Sequence, residues 1–123
     1  MSGYPKSIKR LINQYHGMAY ERELERELGS LERSFAEWRS GRISSSELSH
    51  RLHQFEVGPS RALYKRYNYG QKDMILAYVI VGDVLRFEEI PDELIDALQR
   101  PLAFYQMAKN KGELREPEDL SAY

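Results

Sequence analysis

The apolar stripe of the first forty residues changes sides partway along, and this limits how the chain can fold. With Lys6 set at zero and an α-helical advance of about 100° per residue, Ile8, Leu11, Ile12 and Tyr15 fall near 200°, 140°, 240° and 180°. Leu24, Leu28, Leu31, Phe35 and Trp38 instead fall near 0°, 40°, 340°, 20° and 320° on the same scale. Each set is a good helical stripe, and the two point in nearly opposite directions. Either the helix breaks near Gly17, or one long helix buries its two ends against different things.

Pro5 suits the first turn of such a helix and Gly41 its C-terminal stop, so the helical region is expected over 5–40. Gly17 and Gly29 each cost about 1 kcal/mol relative to alanine, which weakens the helix without forbidding it. The spacing 24, 28, 31, 35 and 38 is a 4-3-4-3 heptad seam. Its two heptads suit a bundle better than an extended coiled coil.

The second helix carries the clearest local signature. Ser44 with Glu47 three residues on reads as a capping box, and Ile43 with Leu48 as a hydrophobic staple. Leu48, Leu52 and Phe55 then share a face. Gly58-Pro59-Ser60 is expected to end this helix and start a third, with Leu63 and Tyr67 inward and the chain loosening over 68–70. Asp73 is a candidate cap for the apolar run 74–81, which Gly82 closes. Periodicity alone leaves helix and strand open for that run. Helix is favoured because the surroundings are helical and a lone strand has no partner. A turn-rich connection over 84–90 leads to Pro91, which opens a helix carrying Leu94, Ile95 and Leu98. Arg100-Pro101 predicts a kink or a fresh start, with apolar character continuing to about Lys109.

These elements define an all-α fold, a bundle of five or six helices with a long N-terminal helical region. Residues 1–109 form one helical domain, and 110–123 a polar C-terminal tail expected to be flexible. The 123 residues are enough for a core without metal or disulfide support. With no cysteine, disulfide frameworks, thiol catalysis and Cys-based zinc sites are excluded. A cytoplasmic protein is expected. No targeting segment is visible, and the longest apolar run, 74–81, is far short of the roughly 20 residues that span a bilayer.

The net charge of −1 is unevenly spread. Residues 1–20 carry three cations and no acid, residues 61–72 four cations and no acid, and residues 73–100 seven acids and two arginines. Within 60–72 the cations interleave with tyrosines. Arg61, Lys65, Arg66 and Lys72 suit phosphates, and Tyr64 or Tyr69 suits stacking on an unpaired base. The competing reading pairs these cations with the acids of 73–100, since nucleic-acid domains are usually more basic overall.

His50 and His53 repeat with Glu47 at i, i+3 and i+6, but face away from Leu48, Leu52 and Phe55. A metal there would need ligands from elsewhere, and neither metal nor cofactor is expected. Arg10 and His16 resemble, in spacing alone, the Arg-x(4–6)-His active-site pattern of the HEPN ribonucleases, which are small helical bundles. That resemblance implies RNA cleavage by these two residues. A chain with 12 arginines and three histidines meets the pattern about once by chance, and Arg10 lies on the solvated side of its helix. No P-loop, dinucleotide fingerprint, zinc-protease motif or nucleophile elbow is present.

The leading expectation is therefore a small interaction or regulatory protein, leaning away from an enzyme. It self-associates or binds another helical protein through its N-terminal helix, with Ile8, Leu11, Ile12, Tyr15 and Met18 as anchors. Nucleic-acid or phosphate binding through 60–72 is the alternative, and a HEPN-like ribonuclease a second one.

Overall fold

One helix, α1, runs unbroken from Lys6 to Arg39 in the computed structural model, 34 residues and about 50 Å at 1.5 Å per residue. The structure describes residues 3–114. The two apolar stripes are reconciled by polar side chains. Ile8, Ile12, His16, Ala19, Glu23 and Ser34 are all buried, and they lie between about 200° and 280° on the scale used above. The covered face therefore never changes sides. It continues through a histidine, a glutamate and a serine that a hydropathy pattern passes over. The stripe from Leu24 to Trp38 is a different face of the same helix.

The helix stops in a Schellman motif. Gly41 adopts φ +81°, its N–H donates to the Trp38 carbonyl at 3.0 Å, and the Arg42 N–H donates to that of Glu37 at 2.8 Å. After a short turn, α2 (Ser45–Phe55) folds back along α1. The Ser44 hydroxyl accepts the Glu47 N–H at 3.1 Å as expected. Glu47 does not complete the reciprocal half of the capping box; its carboxylate accepts from Arg51 at 3.2 Å.

Gly58-Pro59-Ser60 does not end the helix. Residues Glu56–Ser60 form a π-helical turn that leads straight into α3 (Arg61–Asn68), with Ser60 and Arg61 both in helical geometry. An α-helical ring would press the proline against the carbonyl four residues back, and the wider turn relieves this. The returning helix thus spans 45–68 and lies antiparallel to α1, with Leu63 and Tyr67 buried.

The apolar run is α4 (Lys72–Val81), the most buried helix, packed against α1 and the last helix. Gln71, rather than Asp73, holds the N-cap position. Asp73 sits in the first turn, where an acid is favourable, and accepts the Tyr4 hydroxyl at 2.9 Å. A second Schellman motif ends α4, with Asp83 N–H to Ile80 and Val84 N–H to Val79. Here an aspartate holds the left-handed position, φ +66°. Arg22 fastens the following loop to α1. It donates to the Val84 carbonyl at 2.8 Å and to both oxygens of Glu89 at 2.8 and 3.0 Å. This guanidinium, with the Arg86 N–H, lowers the Glu89 carboxyl to about 2.

Pro91 precedes α5 (Asp92–Ala97), and Leu98 joins it to α6 (Gln99–Asn110). Pro101 lies in the first turn of α6, where a backbone N–H has no intrahelical partner to lose. The interruption is therefore a fresh start. Of the tail expected over 110–123, residues 115–123 lie outside the described residues. Leu114 packs, half-buried, against the core.

Candidate functional site

The stripe on α1 that the core does not use is the most prominent unpartnered feature. Leu24 is half-buried against the core, but Leu28 is 50%, Phe35 41% and Trp38 37% exposed. The Phe35 and Trp38 rings meet edge to face, with centroids 6.4 Å apart. Trp38 Nε1–H donates to the Ser45 hydroxyl at 3.0 Å, fixing the indole at the start of α2. On the other flank of α2, Arg51 donates to Ser34 at 3.2 Å and to Glu37 at 3.0 Å. Leu52 lies one heptad beyond Ser45, on the Trp38 side, and is 37% exposed. The seam thus sits on a two-helix platform held by hydrogen bonds on both sides.

The anchors expected for a partner are placed elsewhere. Ile8 and Ile12 are buried in the chain's own core, and Leu11 and Tyr15 are half-buried against it. Of that set only Met18 is exposed. The other four belong to the core cluster formed with α3, α4 and the helices beyond, and the exposed apolar stripe of α1 is the Leu28 side.

Behind α1 lies a buried polar network. Glu23, 1% exposed, accepts the Tyr67 hydroxyl at 2.5 Å and the Arg66 guanidinium at 2.9 Å on both carboxylate oxygens. Tyr20 stacks on Tyr67 with ring centroids 4.8 Å apart. Burial, and then the Glu23 charge, push the Tyr67 phenol far above its ordinary range. His16 Nε2–H donates to the Tyr67 carbonyl at 2.9 Å, capping one of the free carbonyls at the end of α3. Burial lowers the His16 imidazole below its ordinary value. Among the described residues no buried side-chain polar atom lacks a partner. A network of this kind ties α3 to α1. Sequence reasoning missed it. Extending the spacing of Ile8 and Ile12 to positions 16, 19 and 23 would have found its α1 half.

Of the basic-aromatic segment, Arg66 turns inward onto Glu23, whereas Arg61, Tyr64, Lys65, Tyr69 and Lys72 are exposed. Lys72 Nζ donates to Asn13 Oδ1 of α1 at 3.0 Å. Arg10 is exposed and His16 buried, about 120° apart around α1, so the helix does not bring them together. His50 and His53 are exposed on the outer face of α2, and among the described residues no three His, Asp or Glu side chains group as metal ligands. No helix among the described residues is long and apolar enough to cross a membrane. Compared with protein-family models, with curated proteins and with solved structures, the chain finds no match.

Proposed function

We propose that this protein is a helical interaction module that self-associates, with a second copy covering the exposed seam of α1. The observation that carries the reading is Leu28, half exposed in a regular heptad stripe that continues two and three turns on with the exposed Phe35 and Trp38. Aromatic and large aliphatic residues in a contiguous patch are what interface centres contain. A second exposed apolar pair among the described residues, Phe104 and Met107 on α6, spans a single turn.

The charges flanking the seam favour a second copy in antiparallel orientation. With Leu28 and Phe35 at the a positions, Glu25, Glu32 and Arg39 fall at e, and Glu27 at g. Parallel packing sets Glu27 against Glu32 of the other copy, a repulsive pair formed twice. Antiparallel packing sets Glu25 toward Arg39 of the other copy, an attractive pair formed twice, against a single Glu32–Glu32 contact at the two-fold axis. A seam of three helical turns supports a reversible dimer. Its platform of α2 keeps the same side chains presented in the free and bound states. A cytoplasmic setting is part of the proposal, and the cysteine-free composition is compatible with it.

Sedimentation velocity over a range of micromolar concentrations tests the reading. The wild type is expected to shift from monomer to dimer. Leu28→Glu, at a half-exposed site, is expected to stay monomeric with its helical circular dichroism intact, while Phe104→Glu still dimerises. A wild type that remains monomeric throughout overturns the proposal.

A further inference from the structure

We propose that the outer face of α3 and the N-terminal third of α1 together bind single-stranded nucleic acid. This surface is separate from the apolar seam. Residues 1–20 and 57–72 are two of the sequence's long stretches without any acid. The fold brings them side by side: Lys72 Nζ reaches Asn13 Oδ1 at 3.0 Å, and the Tyr67 carbonyl reaches His16 Nε2 at 2.9 Å. Two acids near them are already engaged, Glu23 by Arg66 and Tyr67, and Asp73 by Tyr4. The protein's negative charge sits mainly over 73–100. Fields are screened over about 8–10 Å at ordinary ionic strength, so a net charge of −1 does not cancel a local basic surface.

The aromatic groups decide the class of ligand. Tyr64 is 53% and Tyr69 64% exposed, and their rings meet edge to face with centroids 6.2 Å apart. Two wet tyrosines beside Arg61, Lys65 and Lys72 offer π-faces for unpaired bases and cations for the phosphates between them. A duplex hides its base faces and would use only the cations. A bilayer surface calls for apolar side chains among the basic ones, and here the exposed large side chains are tyrosines. Binding and not cleavage is inferred, because Arg10 and His16 do not converge.

Fluorescence anisotropy with a labelled 12-nucleotide oligouridylate, a duplex of equal length and heparin provides the test, with vesicles containing phosphatidylserine as a further arm. The single strand is expected to bind most tightly, weakening with salt at a log–log slope of about −2 to −3, as for three or four phosphates. Tyr64→Ala with Tyr69→Ala is expected to weaken single-strand binding about tenfold or more and to leave heparin binding unchanged. Lys65→Ala with Lys72→Ala is expected to weaken both. Leu28→Glu is expected to retain binding by the monomer, which separates this surface from self-association. The proposal is overturned by absence of binding, by equal affinity for strand, duplex and heparin with no effect of the tyrosines, or by tighter binding to the vesicles.

Discussion

The Tyr67 hydroxyl donates to Glu23 at 2.5 Å across 44 positions of sequence, and this bond ties α3 to the covered face of α1. Glu23 is an acid in a stretch of alternating charges, yet it is 1% exposed. It is tolerable there only because Tyr67 and Arg66 both serve its carboxylate. With Glu23 inward, Leu28 and Phe35 are turned toward solvent.

Removing the carboxylate should therefore be among the most damaging single changes. Glu23→Ala leaves the Arg66 charge and the Tyr67 hydroxyl without their partner, and a loss of about 3–5 kcal/mol is expected. Tyr67→Phe leaves the ion pair intact and should cost about 1–2 kcal/mol. Urea denaturation of the two variants checks the order. Equal, small losses in both would show that the network does not hold α3 on α1.

His16 gives stability a pH dependence with a definite sign. Burial lowers its folded-state value below the ordinary 6.5, so the unfolded chain binds the proton more readily. Its contribution is complete above about pH 6.5 and declines as the pH falls through the lowered value. Chemical denaturation between pH 7.5 and 5 should show this decline in the wild type and a smaller one in His16→Gln. Two identical pH profiles would remove His16 as the cause.

Asp83 occupies the left-handed position that Gly41 and Gly112 fill at the ends of α1 and α6. Its side chain accepts from Lys109 only at 3.5 Å and is 75% exposed, so that pair contributes little. Asp83→Gly is expected to stabilise the protein by about 1 kcal/mol. A rise in Tm of about 3–5 °C in calorimetry corresponds to that gain for a domain of this size. A fall in Tm would show that the Asp83 side chain matters to the loop that Arg22 clasps.

Local signals in the chain were readable, and signals that depend on distant partners were not. The Ser44 cap, the inward positions of Leu63 and Tyr67 and an interruption at Arg100-Pro101 all follow from neighbours within a turn or two, whereas the helix over 74–81 follows from the helical character of the elements around it. The covered face of α1 does not, because His16, Glu23 and Ser34 continue it, and the Glu23 carboxylate and His16 are satisfied by groups more than forty residues away. Apolar residues alone thus showed both stripes without showing which one the chain covers. Pro59 predicts a terminator because an α-helical ring excludes it, and the π turn that admits it has no plain sequence mark. The basic surface was visible as two separate acid-free stretches, and the fold supplied their contact through Lys72 and Asn13.

Trp38 is the single tryptophan and sits in the seam, so its fluorescence reports on that face directly. Acrylamide quenching of Trp38, followed from about 1 to 200 μM protein alongside sedimentation, tests whether a second copy covers the seam. Quenching should weaken as the dimer forms, and Leu28→Glu should keep the strong quenching of the dilute protein at every concentration. A dimer whose Trp38 stays as accessible as in the monomer, or a protein that never dimerises, would contradict it.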